Sequence, residues 1–558
     1  MSKRFNFNGA ILLWIAPIAF LGLFFFYPLL AVFRVAGEIA ITEGFSVDLL
    51  ERVWKPLGFT VYQAGLSTLI TLLIGLPAAY LFARYEFVGK KALRVLILLP
   101  FILPTVVVAA SFNALLGPRG WINIFLMSIL GLESPPMQLL QSLPAIILAH
   151  VFYNTTIIIR VVGSAWEQLN PRWEEAASVL GAPPGRVWWE ITRPLIQPSI
   201  LAASLLVFLF DFTSFGVILM LGGPGLATLE VEIYIQALQM LNLPLAGLLS
   251  AVQLICTLIL MSGYSFFTRQ STLGLIPRLF GEGVRRPHRW KEIVYSWMIV
   301  GFLVVLFVTP LAALGFRSIT KLDANRGERG EIQAGLTLDY YQELFINRRQ
   351  SLFYVPPLAA VRNSLIYAGL TAVISLSLGV LTAYALRRSG KISRVIDAFL
   401  MLPLGTSAVT LGLGYILVFN RPPIDVRTFP LLVPVAHSLV AFPFVLRTVL
   451  PALLSIPGSL RQAAAVMGAS PLRVWWEVDR PLLTKAALVG AIFSFTISLG
   501  EFGATTFLSR PEFPTMPVAI FRFLAQPGAL NYGQAMAMAT LLLVICGVSI
   551  YLVDKMDR

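Results

Sequence analysis

Charge is scarce in this chain: Asp, Glu, Lys and Arg together make up 13% of its 558 residues, about half their share in soluble domains. Cysteine is scarcer. The two present, Cys256 and Cys546, sit inside apolar runs, so neither a disulfide framework nor a metal site is indicated. No glycine loop ending in Lys and Ser or Thr occurs, which removes a nucleotide-hydrolysing P-loop from the chain. No His-Glu-x-x-His pair or cysteine cluster occurs either, so catalytic metal chemistry has no candidate residues and no bound cofactor is expected.

What fills the sequence instead is apolar. Hydrophobic residues make up 57% of it, and they come in blocks long enough to cross a hydrocarbon core, which takes about 20 residues of helix. The blocks predict spans near 10–35, 59–83, 93–116, 142–163, 196–219, 244–267, 290–313, 363–386, 398–419, 429–451, 482–505 and 534–554. The expected fold class is an all-α polytopic membrane protein of about twelve transmembrane helices. The first block follows Lys3 and Arg4 as a secretory signal does, but it runs on through Phe24-Phe25-Phe26-Tyr27 without a small-residue cleavage pattern. It reads as the first span.

A formal charge of +14 would suggest nucleic acid in a soluble chain. Here the basic residues mark one side of a membrane. Lys3 and Arg4 precede span 1, Arg84, Lys90, Lys91 and Arg94 follow span 2, Arg269 to Lys291 join spans 6 and 7, and Arg387, Arg388, Lys391 and Arg394 follow span 8. Lys555 and Arg558 lie at the other end. Both termini are therefore expected in the cytoplasm. The opposite loops are mixed or acidic, as Glu38, Glu43, Asp48 and Glu51 show.

The chain also repeats itself. Gly75, Tyr80 and Arg84 recur 304 residues later as Gly379, Tyr384 and Arg388. From His150 onward the offset is 287: His150 with His437, Arg160 with Arg447, Trp188-Trp189-Glu190 with Trp475-Trp476-Glu477, Arg193-Pro194 with Arg480-Pro481, Phe215-Gly216 with Phe502-Gly503, and Thr228 with Thr515. A tandem duplication of a six-span unit accounts for this. An even span count makes the copies parallel, with a pathway between them. The drop in offset leaves an excess of 17 residues in the first copy, around 117–141, where Trp121 to Leu130 forms an apolar stretch without a full match. The domains are read as 1–267 and 290–558, joined by a basic, glycine- and proline-bearing linker at 268–289. Segment 318–355, with Asp323, Arg326, Glu328, Arg329 and Glu331, is read as a cap, a partner contact or a plain surface loop.

Between spans 4 and 5, residues 172–180 can form a short helix with Ala176, Ala177 and Leu180 on one side and Glu174 and Glu175 in its first turns. Gly181 ends it and allows a sharp turn. A second helical piece begins at Pro183-Pro184 and leads into span 5. The same knob recurs from Leu460 to Pro481.

The pattern Glu175-Ala176-Ala177, then Gly181, Ile191 and Pro194, resembles the cytoplasmic signature of permease subunits of binding-protein-dependent ABC importers. The second copy keeps Ala463, Ala464, Gly468 and Pro481 but has Gln462 in place of the acid and Val478 in place of the isoleucine. The resemblance implies a type I importer fold in the bacterial inner membrane, with both knobs acting as coupling helices on two copies of a cytoplasmic ATP-binding subunit. It implies that ATP and Mg are used by that subunit, that an extracytoplasmic binding protein delivers the solute, and that transport runs by alternating access. Phe212 to Gly216, Leu221-Gly-Gly-Pro and Thr228 to Tyr234 are similar to fused thiamine permeases and also fit fused ferric-iron permeases.

Polar residues inside the apolar spans are the other candidates. His150 and His437 either bond neighbouring helices or line the pathway. Asp211 and Glu501 either attract a cationic cargo or form intramembrane pairs; they are offset by 290, so Ser214 is the repeat equivalent of Glu501. Glu230 and Glu232 are placed on the outer face, where their counterparts Pro517 and Ala519 carry no charge. Two other classes compete: a gradient-driven transporter with parallel repeats, for which the duplicated knob would have no purpose, and a membrane scaffold.

Overall fold

The computed structural model describes residues 6–42, 46–271, 284–321, 335–347, 355–388, 399–421 and 429–557, together with Gly44, Ile396, Ile424 and Asp425. The middle of the 268–289 linker and the charged cluster Asp323 to Glu331 lie outside the described residues. The described chain is almost wholly helical, the outcome expected where no water is at hand to satisfy backbone N–H and C=O groups.

Among the described residues, ten helices are long and apolar enough to cross a membrane, and two further pairs pass the same test only as bent units. The expected straight spans 93–116 and 398–419 are these two units. Lys90–Ile102 and Thr105–Leu130 meet at 108°, and Phe399–Gly405 and Ala408–Val418 meet at 105°. At the first break Pro104 has no N–H to continue the ladder and holds Leu103 extended, at φ −68° and ψ 139°. At the second, Ser407 caps the new helix, its Oγ accepting from Val409 N at 3.1 Å and Thr410 N at 3.3 Å.

Ion pairs decide which way the chain runs across these bends. Arg84, which ends the helix Val47–Arg84, pairs with Glu174 at 2.8 Å, and Arg94 pairs with Glu167 at 2.8 Å. The end of span 2, the start of the bent unit and the end of helix Leu143–Glu167 therefore share one face. Leu143 begins on the other, so the bent unit carries the chain across. In the second copy Tyr384 OH donates to Asp479 at 3.0 Å, and the same argument holds for the second unit. Counted this way, the described residues make up to twelve crossings.

The expected spans 196–219 and 482–505 stop short. Their helices end at Phe212 and Gly500, and the chain restarts as the short helices Gly216–Leu221 and Gly503–Leu508. Each of these long helices begins earlier than expected, at Pro184 and Pro471. Each passes through a π turn, Trp188–Thr192 and Trp475–Asp479. Pro194 and Pro481 cannot donate to the carbonyls four residues back, so the ladder widens there.

The first helix of each copy packs on the other copy. Leu21 and Phe25 sit in the core of the second copy with Tyr415, Phe442 and Leu446, and Phe24 meets Phe419 with ring centroids 5.8 Å apart. Reciprocally, Leu303 and Phe307 of helix Trp290–Ser318 sit in the core with Val107 and Phe152, and Phe307 meets Phe152 at 5.7 Å. The unmatched segment of the first copy folds as helix Trp121–Leu130. Buried Asn123 pins it, donating to Gly117 O at 2.8 Å and Met137 O at 2.9 Å and accepting from Met137 N at 3.0 Å.

Candidate coupling surfaces and intramembrane polar sites

Both knobs form as the sequence predicts, as helices Pro171–Val179 and Gly458–Val466. Gly181 and Gly468 hold φ at +86° and +84°, the left-handed region that a side chain resists. This turn brings Ala182 N to Ala177 O and Ala469 N to Ala464 O, both at 3.0 Å, closing each helix with a six-residue Schellman loop. Two of the signature alanines thus serve through their carbonyls, and Ala464 is also buried. Ala176 and Ala463 are exposed, as are Glu175 and Gln462. Ile191 and Val478 are half-buried within the π turns, and Pro194 and Pro481 follow directly.

The residues that tether each knob to the long helices are not the signature ones. In the first copy Glu174 accepts from Thr192 Oγ1 at 2.7 Å and from Arg84 at 2.8 Å. In the second, Arg461 donates to Asp479 at 2.6 Å, and Asp479 also accepts from Tyr384. Glu174 and Arg461 are repeat equivalents, as are Thr192 and Asp479. The same two positions make the tether in both copies, with the acid moved from the knob to the long helix. Beyond each tether an apolar tip stands in the open: Val179 and Leu180 are both 87% exposed, and their equivalents Val466 and Met467 are 88% and 81% exposed. Trp189 and Trp476 are exposed on the π turns that follow, each under an arginine, with Arg193 4.3 Å and Arg480 4.5 Å from the ring centroids.

Deep in the apolar region the two histidines make matching knots. His150 Nδ1 lies 3.2 Å from Ser67 Oγ and 3.3 Å from Asp211 Oδ1, and its Nε2 lies 2.9 Å from Ser214 Oγ. Asp211 also accepts from Asn154 at 2.6 Å, and its carbonyl accepts from Gln63 at 2.8 Å. His437 Nδ1 lies 2.7 Å from Ser498 Oγ, and its Nε2 lies 2.7 Å from Thr505 Oγ1 and 3.1 Å from Glu501 Oε2. Glu501 further accepts from the backbone of Ala504 at 2.8 Å and Thr505 at 2.9 Å, which caps the restarted helix.

Equivalence by 287 sets Asp211 opposite Ser498 and Ser214 opposite Glu501. Each histidine therefore bridges one acid and one hydroxyl at the same two positions, with the two exchanged. All five of the predicted polar residues fall in these knots. Each knot ties a helix through the histidine to the break where the fifth or eleventh span stops. Arg160 and Arg447 are exposed on their helices.

Sequence reasoning misplaced Glu230. It is 1% exposed, with Oε1 accepting from Gln253 Nε2 and Oε2 accepting from Ser407 Oγ at 2.7 Å. Its helix, Leu229–Tyr234, turns back into the protein because Thr60 Oγ1 accepts from Leu229 N at 2.9 Å, and Ser364 Oγ accepts from the equivalent Met516 N at 2.8 Å. Glu232 is half-buried and takes a hydrogen bond from Gln236. Also unforeseen is the contact of Phe215 with its own repeat equivalent Phe502, stacked at 5.4 Å and 25°. Two equivalent residues can touch only at the pseudo-twofold axis.

Among the described residues no group of three or more His, Cys, Asp or Glu could hold a metal. The sequence profile of the binding-protein-dependent transport system inner membrane component family matches residues 72–273 and 375–556, one match per copy and together more than half of the chain. A thiamine transport system permease protein of Haemophilus influenzae is 27% identical over 555 residues, covering 96% of this chain and 94% of that protein. A ferric transport system permease protein of Actinobacillus pleuropneumoniae is 24% identical over 550 residues, covering 96% of this chain and 76% of that protein. A crystal structure of a bacterial ABC transporter involved in import of the polysaccharide alginate superposes with a TM-score of 0.38 at 21% identity, over 48% of this chain and 96% of that one. The chain belongs to the family of binding-protein-dependent transport system inner membrane components, as a fused two-copy, non-catalytic multi-pass subunit of the inner membrane that works with paired ATPase subunits and an extracytoplasmic solute-binding protein.

Proposed function

We propose that this chain forms the whole membrane pathway of an ATP-driven thiamine importer, with residues 1–267 and 290–558 as its two transmembrane domains and 268–289 as the cytoplasmic linker. The observation that carries the importer mechanism is the pair of equivalent knobs. Each is a helix of nine residues, tethered through a hydrogen bond to a long helix and ending in an apolar tip that nothing among the described residues covers. Exposed aliphatic groups at the end of a rigid lever suit a groove in a partner. A gradient-driven transporter would have no use for two.

In this reading the signature residues Glu175, Ala176, Ala177, Gly181, Ile191 and Pro194, with Gln462, Ala463, Ala464, Gly468, Val478 and Pro481, shape the coupling surfaces on the ATPase subunits. ATP and Mg act in those subunits. His150, Asp211, Ser214, His437 and Glu501 transmit the motion by fixing the broken spans rather than by touching cargo. The knobs and both termini lie in the cytoplasm, given the basic residues around Arg84, Arg172 and Arg186 and an even number of crossings.

Thiamine as cargo is supported by the relative that matches nearly end to end. Ferric iron is the second reading, supported by the other relative over the same share of this chain. ATP hydrolysis by the complex in lipid, with binding protein loaded with thiamine or with ferric iron, tests both. Stimulation by thiamine alone supports the proposal, stimulation by iron alone replaces the cargo, and an assembled complex that responds to neither overturns the importer reading.

A further inference from the structure

The axis where Phe215 meets Phe502 lies far from the knobs. The helix Arg193–Phe212 has 20 residues, and at 1.5 Å per residue it rises about 30 Å from the knob before the break that presents Phe215. Around this pair the copies differ. Tyr234 packs on Phe215 at 5.5 Å, and its repeat equivalent Phe521 packs on Phe502 at 5.5 Å. Tyr234 also reaches Phe507 of the second copy at 6.2 Å. Four residues before Tyr234, hence on the same helix face, stands Glu230, whose repeat equivalent is Pro517. Glu230 bonds across the seam to Ser407, at the bend of the second copy's broken span. The bond has no counterpart on the other side.

We propose that Glu230 and Ser407 form a one-sided latch on an aromatic gate, and that Glu230 is the residue that selects cargo as it passes. The proposal rests on the importer reading. Stacked Phe215 and Phe502 close the path on the axis, and it opens only when the copies part. Parting removes Ser407 from Glu230 while Gln253, on Glu230's own copy, stays. A carboxyl group in an apolar wall that loses a hydrogen bond must find a replacement. The replacement is a cationic or hydrogen-bond-donating group of the cargo, flanked by the faces of Tyr234, Phe215 and Phe502, which favour a flat organic cation. Cargo entering and latch opening are then one exchange of partners at Glu230.

Two variants separate latch from selection, both in the full complex in lipid. Ser407→Ala removes the latch, and with it the cap on helix Ala408–Val418, but leaves Glu230 in place, so ATP hydrolysis without binding protein is expected to rise about threefold or more. Glu230→Gln keeps an acceptor for Ser407 but removes the charge. The value of kcat/KM for uptake of the probe, thiamine, is then expected to fall about tenfold, the loss of one charge-assisted contact. Wild-type unstimulated hydrolysis in S407A overturns the latch, and wild-type uptake by E230Q overturns selection. The S407A arm needs no binding protein, so it reads the latch even if the wild-type complex ignores thiamine and the importer reading fails on cargo.

Discussion

Removing the carboxylate of Glu174 should loosen the first knob without unfolding the membrane core. The helix Pro171–Val179 has no buried side chain and only nine residues, well short of the length at which an isolated helix holds itself in water. What fixes it is its cap by Asn170, the Schellman turn at Gly181 and the tether of Glu174 to Arg84 and Thr192. Arg84 is 11% exposed and Glu174 29%, so the pair is neither a free surface bridge worth almost nothing nor a fully buried one. A charge-assisted bond of this kind contributes about 1.5–3 kcal/mol. Glu174→Ala, which also strips Thr192 of its acceptor, should therefore cost the docked knob about 2–3 kcal/mol. At about 1.4 kcal/mol per factor of ten, amide exchange in residues 171–182 should quicken roughly 30- to 140-fold, while exchange in helix Leu143–Glu167 stays unchanged. Binding-protein-stimulated ATP hydrolysis should fall with it. Exchange within about threefold of wild type would refute the tether, and a loss of protection throughout the chain would show that Glu174 supports the fold rather than the knob.

The other expectations follow from the same geometry. Glu174→Arg alone sets a cation against Arg84 and should lose stimulated hydrolysis, whereas adding Thr192→Asp rebuilds the second copy's arrangement and should recover most of it; equal activity of single and double variants would refute positional exchange. Gly181→Val and Gly468→Val force a branched side chain to φ above +80° at a cost of about 1–2 kcal/mol each, and pull-down with the ATPase subunit should weaken for both.

Parts of this architecture are legible from residues alone. The apolar blocks locate every crossing, and the motif with its glycine locates both knobs, because span length and a left-handed turn are local properties. The bends at Leu103-Pro104 and Thr406-Ser407 escape a hydropathy reading because a bent helix pair and a straight helix have the same composition. Pro104 was the available signal. The exchange of first helices between copies leaves no trace in the sequence, since an apolar helix can bury its face against either copy. Glu230 reads as an outer-face charge because its partners Gln253 and Ser407 are 23 and 177 residues away, and only the fold brings them to it. The tethers were within reach: setting Glu174 against Arg461 and Thr192 against Asp479 shows an acid changing places, the mark of a contact kept through duplication.

The histidine knots allow the sharpest test of that last idea. In the first copy the acid of the knot lies at position 211 and the hydroxyl at 214; in the second the hydroxyl lies at 498 and the acid at 501. Moving the acid within the first knot, by Asp211→Ser with Ser214→Glu, should keep a partner on each nitrogen of His150 and leave assembly of the complex intact. Ser214→Glu alone crowds a second carboxyl group against the first in an apolar site and should cost about 3 kcal/mol or more. Asp211→Ser alone leaves Asn154 without its acceptor and should cost about 1–3 kcal/mol. Thermal unfolding of the purified complex would rank wild type first, then the double variant and Asp211→Ser, which share the unpaired Asn154 amide, then Ser214→Glu. A double variant no more stable than Ser214→Glu would mean that the two knots only resemble one another and that the Asp211 carboxyl answers to Asn154 rather than to the histidine.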